Sequence, residues 1–178
     1  MRVTISGPPG SGKTTVAELV VESLKLKLIL TGQIFREQAK EAGMDVLEFN
    51  RLAEKNPSID KKLDAEMIKR AAESDNVVIE GRLAAQLLLR AEVSSFKVFV
   101  TAPARVRAGR IAKREGTDPT LEMEKLIKRE ESERKRYQEF YDIDIGDLSI
   151  YDLVIDSADM TAKEVAKTVA DEIRKMRL

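Results

Sequence analysis

The chain contains no cysteine and no histidine among its 178 residues. Without cysteine there is no disulfide framework, no thiolate nucleophile and no thiolate-held zinc. Without histidine the commonest general base and metal ligand is missing. Any chemistry must run on carboxylates, lysine and arginine, hydroxyls, and a metal held by carboxylate or phosphate. Aromatic residues are sparse, at 4%, which leaves little for stacking on exposed bases. Neither sign of charge dominates: 31 Lys and Arg balance 31 Asp and Glu, so no basic field marks a nucleic-acid surface. No apolar run approaches the length of a membrane span, and the first residues read as a strand, not a signal peptide. A cytoplasmic protein that binds neither nucleic acid nor membrane is expected. The length suits one domain with a proper core.

What is present begins at the start of the chain. Residues 7–14 read Gly7-Pro8-Pro9-Gly10-Ser11-Gly12-Lys13-Thr14, the pattern G-x-x-x-x-G-K-[ST], directly after the apolar run Arg2–Ser6. Thr15 to Val21 then has helical character. Strand, loop and helix in this order make a phosphate-binding loop. Gly7, Gly10 and Gly12 let the backbone curl so that successive N–H groups point at anionic oxygens. The helix start adds unsatisfied donors and a partial positive charge. Lys13 can reach the β- and γ-phosphates, and the Thr14 hydroxyl can ligate Mg²⁺. These residues imply a bound nucleoside triphosphate.

Downstream, short β-rich runs alternate with longer helical ones, as in an α/β protein with a parallel sheet. Strands are expected at Val3–Ser6, Leu28–Leu30, Val77–Glu80, Lys97–Thr101 and Leu153–Asp156. Between the second and third lie two or three helices, divided at Gly43 and at Asn56-Pro57, where Pro57 or Ser58 starts the next helix. A helix over Pro103–Arg114 breaks at Gly116-Thr117-Asp118-Pro119 and is followed by a long polar helix, Thr120 to Tyr141. Thr161-Ala162-Lys163-Glu164 is a capping box for a last helix with Val165, Val169 and Ile173 on one face.

The loop alone does not separate a GTPase, a motor and a small-molecule kinase. The guanine-reading N-K-x-D and a downstream D-x-x-G are both absent, and the chain is too short for an AAA-type motor. Positive evidence comes from arginines that follow predicted strands or helices: Phe35-Arg36, Glu80-Gly81-Arg82, Arg110-Ile111-x-x-Arg114, and Arg129, Arg134 and Arg136 on the long polar helix. Ligands of α/β folds sit at the carboxyl ends of the strands, so these arginines can converge on the phosphate loop. With Ser149-Ile150-Tyr151-Asp152-Leu153, the motifs recur in the order found in nucleoside monophosphate kinases. The chain most closely resembles the archaeal type of cytidylate kinase, from Met1 to about Ile173.

That resemblance implies a phosphate-loop kinase fold: five parallel strands ordered 2-3-1-4-5, flanked by helices. It divides a single domain, 1–178, into a core (1–30, 77–114 and 142–178), a monophosphate-binding segment (31–76) and a lid (115–141). Gly7 to Thr15, Arg110 and Arg114 would bind ATP, Arg110 on the adenine and Arg114 on the phosphates. Arg36 and Arg82 would grip the acceptor monophosphate, where a planar guanidinium suits phosphate better than lysine does. Glu80 would act on Mg²⁺ through water. Arg129, Glu133 and Arg136, at i, i+4 and i+7, share one face of the lid helix and match the family's Arg-x-x-x-acid-x-x-Arg pattern. Lys13, Arg129 and Arg136 would be catalytic. Arg105, Arg107, Arg134 and Lys135 read as solvated.

The resemblance departs at base selection. Bacterial cytidylate kinases follow the strand-three arginine with an aspartate that helps read cytosine, and here Leu83 stands in that place. Asp60 is the first candidate to supply the carboxylate, with Asp64 one helical turn on and Arg51 as a partner for the cytosine O2 or N3. An acidic start that merely favours the helix dipole is the alternative for these two aspartates. The expected activity is transfer of the ATP γ-phosphoryl group to CMP or dCMP by a Mg²⁺-dependent, monomeric enzyme whose partners are small nucleotides. Its rivals are the same chemistry on AMP, UMP or shikimate, and an ATP-binding regulatory module without turnover.

Overall fold

A computed structural model describes residues 1–176, with the side chains of all but residues 46, 47, 50 and 54. Five strands form one sheet: β1 (Arg2–Ser6), β2 (Lys27–Leu30), β3 (Val77–Glu80), β4 (Phe96–Thr101) and β5 (Leu153–Asp156). Their order is β2-β3-β1-β4-β5, and every pairing is parallel. The strands are those expected, with three (β1, β2 and β4) beginning one residue earlier.

The register decides where function can sit. Ile5 lies beside both Glu80 and Val98, and Leu30 beside Glu80. Thr101 lies beside Asp156. The carboxyl ends of all five strands therefore open on one edge of the sheet, and each chain segment leaving that edge can reach a common ligand.

Parallel strands need crossovers, and the helices that supply them cover both faces. Over one face α1 (Lys13–Leu24) and α8 (Ala162–Lys175) pack on Val3, Ile5, Val78, Val98 and Val100. On the other, α2 (Thr31–Glu41), α4 (Pro57–Ala72) and α5 (Ala84–Arg90) bury Ile34, Met67 and Leu88 against Val77 and Ile79. Val77, Val78 and Ile79 thus alternate between two cores, the period-two signature of a strand buried on both sides. Helix α5, which has no counterpart among the expected elements, is seven residues long with Ala84, Ala85, Gln86, Leu87 and Leu88 all buried. With five consecutive residues buried, Gln86 among them, it offers no amphipathic period to detect.

Capping explains most helix limits. In α3 (Val46–Lys55) Asp45 and Glu48 form a capping box, and α8 starts with the same device from Thr161 and Glu164. Asn56 caps α4 by accepting from Ser58 N, with Pro57 in the first turn. The two remaining helices are α6 (Ala104–Glu115), stopped by Gly116 at φ 68°, and α7 (Pro119–Tyr141), capped by Asp118. Each starts or ends one residue from the position expected.

Candidate active site

Helix α1 starts without a side-chain cap, behind Gly12 at φ 88°. Its first N–H groups have no intrahelical acceptor and are directed to the loop that precedes them. A cavity of about 400 Å³ opens there, lined by Gly10 to Val16, by Arg110 and Arg114 of α6, and by the segment that leads into α8. The Arg110 guanidinium donates to the Ser157 Oγ at 2.9 Å and to the Ser157 carbonyl at 2.5 Å. It therefore links α6 to the residue that follows β5 in the cavity wall. Arg114 is exposed, beside Glu115 at 2.9 Å.

A second cavity of about 380 Å³ lies across the end of β3, between α2, α4 and α7. Lys13 lines both cavities, and among the described residues it is the one that does. The second cavity gathers Arg36 from α2, Arg82 from the end of β3, and Arg129 and Arg136 from α7. It also contains Asp60, Asp64, Glu80 and Glu133. Charges that lie far apart in sequence meet because each belongs to a different element at the sheet's carboxyl edge.

The approach of β3 to α2 depends on Gly81. A Cβ there would collide with Thr31 Oγ1, whose hydroxyl donates to the Glu80 carbonyl at 2.7 Å. Gly7 is under a similar constraint: a side chain would run into the Val100 carbonyl oxygen.

Electrostatics follow from burial. Glu80 lies 3.7 Å from the Lys13 ammonium. Desolvation pushes the Lys13 pKa below its ordinary value, Glu80 opposes this, and Arg82 and Arg129 reinforce it. Desolvation raises the Glu80 carboxyl, and Lys13 opposes the rise. Each partner limits the cost of burying the other, and an arriving polyphosphate would favour the charged lysine. Glu133, buried on α7, bridges two arginines. It accepts from Arg129 at 2.8 Å and from Arg82 through a second short contact. Arg82 also donates to the Gly7 carbonyl at 2.9 Å. Arg136 stands with its guanidinium carbon 5.4 Å from the Tyr137 ring centre and its Nε 3.9 Å from Asp60.

Most expected site residues line one cavity or the other. Gly7, Pro8 and Pro9 line neither: they form the back of the loop, and the Gly7 and Pro9 carbonyls accept from Arg82 and Arg107. Arg51 is exposed on α3 and outside the lining of the second cavity, so no partnership with Asp60 is formed there. Arg134 and Lys135 are exposed, as is Arg105. Arg107 corrects the sequence reading. It is buried, donating to the Ala102 carbonyl at 2.8 Å and the Pro9 carbonyl at 3.1 Å, and pairing with Glu130 at 2.5 Å. An arginine on a charged helix carries no local sign of burial; besides Ala102, its acceptors lie 98 and 23 residues away. Tyr141 joins the site without any sign in the sequence beyond its place at the end of the polar helix. Its hydroxyl donates to Asp64 at 2.5 Å inside the second cavity.

A phosphate loop at the head of α1, a 2-3-1-4-5 parallel sheet and two cavities meeting at one lysine define a phosphate-loop kinase. Within that class the chain belongs to the cytidylate kinase-like family, whose model matches residues 2–159. It is 44% identical over 178 residues to the cytidylate kinase of Methanocaldococcus jannaschii, covering 99% of each chain. It is 46% identical over 180 residues to that of Archaeoglobus fulgidus, covering 100% of this chain and 98% of the relative. Among solved structures it resembles an uncharacterized protein from Eubacterium ventriosum, at TM-score 0.75 and 19% identity over 98% of both chains. It also resembles shikimate kinase from Aquifex aeolicus, at TM-score 0.62 and 25% identity over 99% of this chain and 98% of the other. These two likenesses concern the fold.

Proposed function

We propose that the chain transfers the γ-phosphoryl group of ATP to the 5′-phosphate of CMP or dCMP, releasing ADP and CDP or dCDP. The observation that carries phosphoryl transfer is Lys13, shared by a donor cavity at the head of α1 and an arginine-rich acceptor cavity beside it. The choice of a cytidine acceptor rests on the family and on the named relatives.

The acceptor phosphate is already an oxyanion, so the reaction needs no strong general base, which suits a chain without histidine. Rate enhancement then comes from alignment and charge stabilisation. Arg36 and Arg82 hold the attacking phosphate, while Lys13, Arg129 and Arg136 neutralise charge on the transferred group. Arg110 and Arg114 hold the donor nucleotide. In this reading residues 31–76 carry the acceptor and residues 115–141 close as a lid that excludes water.

The donor set suits a hydrated Mg²⁺ that arrives with the triphosphate. The Thr14 hydroxyl is exposed at the helix start. Glu80 is a buried carboxylate paired loosely with Lys13, at 3.7 Å, and it can accept from metal-bound water. Among the described residues no group of three or more His, Cys, Asp and Glu side chains forms a resident metal site. When bound, the ion neutralises phosphate charge. No helix among the described residues is long and apolar enough to cross a membrane.

The test is ADP release with MgATP and each of the common ribo- and deoxyribonucleoside monophosphates. CMP or dCMP should stimulate it most. No stimulation by any acceptor would overturn the kinase reading, and a strong preference for AMP would overturn the cytidine assignment.

A further inference from the structure

Leu83 is buried in the lining of the acceptor cavity and offers a base no polar group. Something else must distinguish a cytosine from a uracil. The two bases differ at one edge: cytosine presents an exocyclic amino donor where uracil presents a carbonyl acceptor. A selective site therefore needs a group that accepts without donating, as an ionised carboxylate does.

Four carboxylates line the cavity among the described residues: Asp60, Asp64, Glu80 and Glu133. Glu80 is committed to Lys13, and Glu133 to Arg82 and Arg129, where the phosphates would meet. Asp60 lies 3.9 Å from Arg136 Nε, too far for a hydrogen bond, so its charge is offset but no donor among the described residues fixes its buried Oδ2. Asp64 differs. Its Oδ2 accepts from the Tyr141 hydroxyl at 2.5 Å, and no described residue donates to its Oδ1. The cavity that holds it has an apolar lining from Leu63, Met67, Leu83 and Leu87, suited to the faces of a planar base.

Tyr141 is itself held. It is the last residue of α7, and Arg90 of α5 donates to its carbonyl and, at 2.8 Å, to that of Asp142. The Tyr137 and Tyr141 rings meet edge-on with centres 6.4 Å apart. Helix end, ring and hydroxyl are thus fixed from two sides, and the hydroxyl proton is spent on Oδ2.

We propose that Asp64, oriented by Tyr141, selects cytosine in the acceptor cavity, its free Oδ1 accepting a hydrogen bond from the exocyclic amino group. This deepens the kinase reading above and rests on it. Uracil in the same position sets carbonyl lone pairs against the carboxylate, and that repulsion excludes it as effectively as the amino contact favours cytosine. Tyr141 is a positioning residue: it holds the carboxylate and occupies the oxygen that faces away from the base.

The same pair makes selection depend on pH. Burial pushes the Asp64 carboxyl up to about 6, the Tyr141 hydroxyl opposes the rise, Asp60 adds to it and Arg136 opposes it. The charged and titratable groups that share its cavity are Asp60 on its own helix, Lys13 on α1, Arg36 on α2, Glu80 and Arg82 at the end of β3, and Arg129, Glu133, Arg136, Tyr137 and Tyr141 on α7. Once protonated, Asp64 carries a donor and tolerates a uracil carbonyl. Both acceptors carry the same phosphate, so the ratio of their kcat/KM values isolates the base.

The experiment measures kcat/KM for CMP and UMP in the unaltered chain, Asp64→Asn and Tyr141→Phe. In Asp64→Asn the amide can donate, so the CMP-to-UMP ratio should fall by about 30-fold or more. In Tyr141→Phe it should fall several-fold. In the unaltered chain it should fall as pH drops from about 8 to about 5.5, and in Asp64→Asn it should not. Equal losses for CMP and UMP in both variants would show a merely structural pair and overturn the proposal, while leaving CMP kinase activity in the unaltered chain intact. No CMP-dependent ADP release by the unaltered chain would overturn the kinase reading and this proposal together. Should Asp64→Asn fail to fold, an unchanged ratio in Tyr141→Phe overturns the proposal.

Discussion

The Arg107 guanidinium donates to the Pro9 carbonyl oxygen at 3.1 Å, so α6 grips the phosphate loop from behind. The same side chain donates to the Ala102 carbonyl and pairs with Glu130 on α7. One buried arginine thereby ties the loop to the end of β4 and to α7. Two buried carbonyls and a carboxylate would lose their donor without it.

Replacing Arg107 by Leu should destabilise the fold by about 2–4 kcal/mol, the cost of stranding a half-buried carboxylate and two carbonyl acceptors. Urea unfolding measures this. The KM for ATP should also rise, because the loop loses its brace. A variant with unchanged stability would show that Arg107 is as dispensable as a solvated arginine.

Arg36 is exposed in the acceptor cavity, and no carboxylate among the described residues pairs with it. It is therefore available to an incoming phosphate. Arg36→Ala should raise the KM for CMP by about 10- to 100-fold, the worth of a charge-assisted contact. The KM for ATP should move by less than about threefold. Equal effects on both substrates would remove Arg36 from the acceptor side.

Glu133 pairs with both Arg82 and Arg129 in the lining of the second cavity. Glu133→Gln keeps the shape and removes the charge that aligns both guanidinium groups. The expected result is a fall in kcat of about tenfold or more with little change in the KM for ATP, since alignment matters most in the transition state. Steady-state kinetics with saturating CMP decides it; an unchanged kcat would make Glu133 a simple counter-ion.

Asp64 also sets a stability trend. Its carboxyl titrates near 6 in the folded chain against an ordinary 3.8, so the folded state binds the proton more tightly. The sign follows from that difference. Asp64 destabilises the fold above about pH 6, and the penalty fades as pH falls toward 4. Asp64→Asn should therefore be more stable than the unaltered chain at pH 7–8, by on the order of 2 kcal/mol. The advantage should vanish near pH 4. Thermal unfolding across this range checks both the sign and the window.

Local chemistry made much of this legible in the chain itself. The phosphate loop, the five strands, the breaks at Asn56-Pro57 and Gly116, and the Thr161 capping box all depend on residues within a few positions of one another. So does the shared face of Arg129, Glu133 and Arg136, which helical spacing dictates. Helix α5 was not legible, because a short, continuously buried run has no period to betray it.

What the tertiary structure decided is which charges meet. Nothing near Arg107 in sequence distinguishes it from Arg105, yet one is buried against Pro9 and the other is exposed. Asp60 and Asp64 are equivalent in a helical pattern, and only the arrival of Arg136 and Tyr141 from α7 gives them different partners. Arg51 sat in the same stretch and stays outside the cavity. Sequence determines backbone preference and periodicity over a turn or two. Burial, pairing and proton affinity depend on neighbours tens of residues away, brought together when the sheet register aligns its strand ends.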